Sequence, residues 1–151
     1  MIPKAARLLI PLILTSLIAA AAGRPPIIEA VRKGDGNALR ALLQKGANVN
    51  ETEGDGATAL HWASYRDDLQ SADALLKAGA KVNAANDLGA TALWAAAQNG
   101  STAMVKRLLD GGANPNLALL SGETPLMVAS RTGSATLLRT SICAARWQIT
   151  S

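Results

Sequence analysis

The chain repeats itself every 33 residues, and no other property restricts its possible folds so severely. Gly56, Gly89 and Gly122 stand at that offset, as do Thr58, Thr91 and Thr124, then Leu60, Leu93 and Leu126, then Ala63, Ala96 and Ala129. The register persists through Leu42-Leu43, Leu75-Leu76 and Leu108-Leu109, through Gly46-Ala47, Gly79-Ala80 and Gly112-Ala113, and through Asn50, Asn83 and Asn116. A period of this length belongs to architectures in which each unit is one supersecondary element that cannot bury its apolar side alone.

Within a unit the order is a turn, a short helix, a stop, a second helix and a glycine stop. In the third unit Thr91 is placed to cap a helix from Ala92 to about Asn99, which Gly100 ends in the left-handed conformation. A second helix then runs from Ala103 to about Asp110, before Gly111 and Gly112. Ala95, Ala96 and Ala97 permit close helix approach. Neither helix exceeds about three turns, and such helices are marginal alone in water, so each must pack on the next unit. Composition agrees. Apolar residues make up 49%, aromatic residues only 3%, and Phe is absent, so the core must come from small and aliphatic side chains between helices. A β-sandwich is disfavoured. With 151 residues the chain has room for one domain of this kind.

The pattern resembles the ankyrin repeat, which runs G-x-T-P-L-H-x-A-A, then a Gly, then L-L and G-A-x-x-N. The second unit has Gly56, Thr58, Ala59, Leu60, His61 and Ala63. The third has Gly89, Thr91, Ala92, Leu93, Trp94, Ala95 and Ala96, and the fourth has Gly122, Thr124, Pro125, Leu126, Met127 and Ala129. The resemblance implies an all-α solenoid of about four stacked helix pairs joined by short β-hairpins. Its units cover residues 25–50, 51–83, 84–116 and 117–142, and a divergent tail covers residues 143–151. The first unit lacks the hairpin and starts at Pro25-Pro26, a residue type suited to a first helical turn. Ala59 and Ala92 replace the motif's Pro. Asp67 stands where Gly100 and Gly133 stand, so it should adopt a left-handed conformation at some cost, and Asp67→Gly should stabilise modestly. After Leu137 and Leu138 the repeat dissolves: Ala145-Arg146 replaces Gly-Ala, which fits either a carboxy-terminal cap or a truncation or frameshift product.

Ahead of the repeats lies a different kind of segment. Lys4 and Arg7 precede an uncharged run from Leu8 to Ala22 that ends in small residues, the three-part layout of a secretory signal peptide. The run is short of the ~20 apolar residues that cross a bilayer as a helix. Residues 1–22 or 1–23 are therefore expected to be removed, leaving a periplasmic or secreted chain that has no membrane attachment. The 15 basic residues less Lys4 and Arg7 leave 13 against 11 acidic ones, a net charge near +2.

Catalytic chemistry finds little material. His61 is the single His and Cys143 the single Cys. His61 falls at the family's structural histidine, which bonds backbone between neighbouring hairpins, and Cys143 reads as a small buried hydrophobe. No G-x-S-x-G elbow is present and no second His could serve as base. Asp67, Asp68 and Asp73 lack the glycine spacing of a calcium loop and read as capping or solvated carboxylates. Gly54, Gly56 and Gly89 belong to turns, not to a phosphate cradle. Neither an enzyme nor a bound cofactor or metal is expected. Nucleic acid is an unsuitable partner for a chain of such low net charge with acidic hairpins. Trp62 and Trp94 are expected to pack in the core.

What remains is surface. In ankyrin stacks the hairpin tips and the ends of the first helices line a concave face, so the resemblance assigns partner contact to the pairs before each stop. These are Arg32-Lys33, Tyr65-Arg66, Gln98-Asn99 and Arg131-Thr132, a basic row, with Asp55, Leu88 and Leu120 at the tips. Arg and Tyr are residue types enriched where proteins bind proteins. The expected function is a monomeric, non-catalytic module that binds another protein. An immunity or inhibitor type of partner for an enzyme or toxin, or a truncated repeat protein without function, is the alternative.

Overall fold

The computed structural model describes residues 23–133 and Arg139. The leader, residues 1–22, lies outside the described residues, as do Leu137, Leu138, Cys143 and the whole tail. Seven helices are present among the described residues: α1 (Pro26–Lys33), α2 (Gly36–Gln44), α3 (Ala59–Tyr65), α4 (Leu69–Lys77), α5 (Ala92–Gln98), α6 (Thr102–Asp110) and α7 (Pro125–Arg131). They form three antiparallel pairs followed by the first helix of a fourth.

α1 starts on Pro25 and Pro26 without a side-chain cap, and each later helix begins where a side chain can accept its orphan N–H groups. Thr58, Thr91 and Thr124 occupy equivalent places, with φ of −102°, −102° and −91°, at the starts of α3, α5 and α7. Asp35, Asp68 and Ser101 cap α2, α4 and α6, each accepting a backbone N–H from the first turn. The first helix of every pair ends on a left-handed residue. Asp67 is the one non-glycine with positive φ among the described residues, at 57°, where Gly34, Gly100 and Gly133 lie between 70° and 72°.

Among the described residues the close helix packing is between neighbours. α1, α3, α5 and α7 stack in one layer, and α2, α4 and α6 in the other. The buried core is a single cluster of Ile, Leu, Val, Met and Ala, including Ile27, Leu39, Leu60, Leu75, Leu93, Met104, Leu108 and Val128. Ala63, Ala96 and Ala129 are fully enclosed, so the first helices touch through methyl groups at equivalent heights.

The connections differ from the expected β-hairpins. Among the described residues there is no strand, only isolated bridges between Thr52 and Thr58 and between Ala85 and Thr91. Each turn closes on itself, with the N–H of Glu53, Asn86 and Leu119 donating to the carbonyls of Ala57, Ala90 and Glu123, and further backbone groups bond sideways. The N–H of Asp87 donates to the carbonyl of Asp55, and one repeat further the N–H of Leu120 donates to that of Leu88, both at 2.9 Å. The tips thus form a ladder running along the stack.

Outer turns are tied by asparagine. Asn50 donates through Nδ2 to the carbonyl of Gly79 and accepts the N–H of Lys81; Asn83 does the same with Gly112 and Asn114. Each amide therefore clamps its own unit to the next.

Candidate functional site

The helix ends and the hairpin tips meet in a groove. Between the second and third units they enclose an open cavity of about 300 Å³, whose lining includes Asp55, Tyr65 and Gln98 as well as Trp62, Trp94 and Ala95. Residues assigned from sequence to two different structural elements are thereby brought to one place.

His61 lies at the back of this groove and is buried. The N–H of Thr58 donates to its Nδ1 at 3.1 Å, so that nitrogen is unprotonated and the proton sits on Nε2. Nε2 then donates to the carbonyl of Ala90 in the next unit at 2.9 Å. Burial holds the imidazole below its ordinary value of 6.5, with the bond to the Ala90 carbonyl and then the Asp55 charge opposing in part, so the ring is neutral at pH 7. A ring committed at both nitrogens is a structural link and not a free base.

The expected basic row is largely neutralised by its own chain. Lys33 pairs with Glu29 at 3.1 Å, and Arg131 pairs with Glu123. Arg32 is half-buried, with Cζ 4.3 Å from the centre of the Trp62 ring. Arg66 makes no ion pair among the described residues; its guanidinium lies beside Gly34, within 3.2 Å of where a Cβ would stand. Of the four cations, Arg66 is the one left exposed and without a counter-ion among the described residues.

The remaining assigned positions divide likewise. Asn99 donates through Nδ2 to the carbonyls of Ser64 and Tyr65, which ties the end of α5 to that of α3. Thr132 donates its hydroxyl to Ala129. Gln98 is exposed and lines the groove. Tyr65, Leu88, Leu120 and Met127 are 60%, 68%, 82% and 56% exposed, and the bond from the N–H of Leu120 to the carbonyl of Leu88 sets the two tip leucines in adjacent turns. Asp55 keeps its carboxylate beside its own turn, with Oδ1 accepting the N–H of Ala57.

The tryptophans are not core residues in the expected sense. Both are half-buried, packing one side against the core and presenting another to the groove. Their indole N–H groups have no acceptor among the described residues. The ring of Trp62 meets that of Tyr65 edge to face, 5.9 Å apart and at 84°. A strict phase comparison carries the missed signal: Trp94 takes the phase of His61, and Ala95 the phase of Trp62.

A family model for three copies of the ankyrin repeat matches residues 4–86 and 73–143. The chain belongs to the ankyrin-repeat family. Ankyrin repeats are generally protein-binding modules that carry no chemistry of their own. A comparison with curated proteins finds none that matches the chain. Within the family's frame, His61 bonded to Ala90 is the inter-repeat link that the T-x-L-H motif implies, and Trp94 and Met127 are departures from it. Among the described residues no cluster of His, Cys, Asp and Glu could hold a metal ion.

Proposed function

We propose that the chain is exported, loses a leader ending at residue 22 or 23, and acts outside the cytoplasm as a monomeric protein that binds another protein through the groove edge. The observation that supports recognition at this edge is its composition. Tyr65, Arg66, Gln98, Leu88 and Leu120 are all exposed along one line of helix ends and tips, whereas the opposite edge is occupied by asparagine clamps. An exposed Tyr and an Arg without a counter-ion offer buried area and a charge-assisted bond at low ordering cost. The carboxylate contacts of a partner fall to Arg66, since Arg131 and Lys33 already hold acids of their own chain.

Two experiments test the reading. Amino-terminal sequencing of the product in the exported fraction should begin at Gly23 or Arg24; a product retained inside the cell with Met1 would overturn export. The test is informative because the family match begins at residue 4, inside the proposed leader. For recognition, the chain serves as bait against the exported protein fraction, with Arg66→Glu/Leu120→Asp as the comparison. The pair of changes should abolish capture at an unchanged melting temperature. Undiminished capture would move the contact surface elsewhere.

A further inference from the structure

The steps of the stack are not alike, and the difference opens a pocket. Between units one and two, the guanidinium at Arg32 covers the indole of Trp62. Advancing both positions by one repeat gives Tyr65 and Ala95. The first helices α3 and α5 pack on each other as α1 and α3 do. The volume that an indole fills in the first step is therefore vacant in the second, where only a methyl group stands. This vacancy is the cavity of about 300 Å³.

Its walls have one chemical character. Trp62 and Tyr65 meet at 84° and form a corner, and Trp94 lines the α5 side. No Lys or Arg lines the cavity, His61 is neutral, and Asp55 is the charged group at the rim. Asp55 makes no ion pair among the described residues. A second carboxylate stands close by, since a Cβ on Gly56 would lie 3.1 Å from Oδ1 of Asp87. Aromatic faces below unneutralised carboxylates attract a cation and repel an acid. A guanidinium suits them better than an ammonium, because it is planar, weakly hydrated, stacks on rings and matches a carboxylate in two bonds. The same stack already holds one such group, Arg32 on Trp62.

We propose that the pocket between the second and third repeats receives an arginine side chain of the partner, its guanidinium against the aromatic corner and the carboxylate of Asp55. The pocket's preference for arginine stands on its own geometry; that a partner protein supplies the arginine rests on the recognition role proposed above.

The test is titration of the full chain with Nα-acetyl-arginine methylamide, following the indole N–H signals of Trp62 and Trp94 by NMR. A saturable shift is expected, about tenfold weaker with the neutral norleucine analogue. Asp55→Asn and Ala95→Trp, which refills the vacancy, should each weaken it by about tenfold. Tyr65→Ala, at an exposed position, supplies the same readout should Ala95→Trp disturb packing. Equal response to norleucine, or undiminished binding in Asp55→Asn and Tyr65→Ala, overturns the proposal. Binding of the amide without capture of any exported protein would leave the pocket standing and remove the recognition role. A captured partner with no amide shift would do the reverse.

Discussion

The imidazole of His61 joins two repeats: Nδ1 takes a hydrogen bond from the N–H of Thr58, and Nε2 gives one to the carbonyl of Ala90. The bond at Nδ1 needs the neutral ring, whereas Nε2 donates to Ala90 in either state. Because burial lowers the folded-state value below the ordinary 6.5, the unfolded chain takes up the proton first as pH falls. This group therefore contributes no pH dependence above about pH 7, and stability declines as pH drops through 6.5 until the folded-state value is reached. Urea midpoints measured from pH 8 to 5 should show this slope in the wild type and lose it in His61→Gln. A slope of equal size in the variant would assign it to another group.

Two glycines of the same phase should respond differently to alanine. Both Gly89 and Gly122 have positive φ, so each substitution carries a left-handed penalty of about 1 kcal/mol. At Gly89 the new methyl would also meet backbone, with the nitrogen of Leu120 at 3.0 Å and the carbonyl oxygen of Ala118 at 3.1 Å, whereas at Gly122 it meets nothing within 4 Å among the described residues. Gly89→Ala should therefore cost roughly 1–3 kcal/mol more than Gly122→Ala in denaturant unfolding, by forcing adjacent tips apart. Equal costs would show that the tip ladder yields freely.

Asp67 pays for its left-handed backbone in part with a bond, since its carboxylate accepts the hydroxyl of Ser101 at the start of α6. That bond was not visible from the repeat pattern, and it changes the expected ranking of substitutions. Asp67→Asn keeps an acceptor and relaxes the backbone, so it should stabilise by about 0.5 kcal/mol, whereas Asp67→Gly gains the backbone relief and loses the link. A melting temperature ordered glycine above asparagine would assign the Ser101 contact no weight.

The asparagine clamps should act locally. Asn83→Ala removes two bonds to the third unit's outer turn and Asn50→Ala two bonds to the second's, each change costing about 1 kcal/mol. They share no partner, so the double variant should show the sum. A double-variant cost well above the sum would indicate that the clamps communicate along the stack.

The legible part of this fold is what recurs. Thr58, Thr91 and Thr124 fall at helix starts, and Asp67 takes the conformation of Gly100, because a backbone requirement repeated at fixed spacing leaves the same residue types at the same phase. The site was legible only as a line of positions. Sequence phase placed Arg32, Lys33 and Arg131 at the helix ends, yet it could not show that Trp62, Glu29 and Glu123 would occupy their charges. Those partners sit at separations that are not repeated. The vacancy beside Ala95 was hidden for the opposite reason: it is an absence at a phase, readable only once Trp62 is known to fill the equivalent place one repeat earlier.

Hydrogen exchange of the chain with its captured partner tests recognition by the groove edge most directly. Added protection should concentrate at the tips around Asp55, Leu88 and Leu120 and at the ends of α3 and α5. Protection confined to α2, α4 and α6, with those tips exchanging as in the free chain, would contradict it.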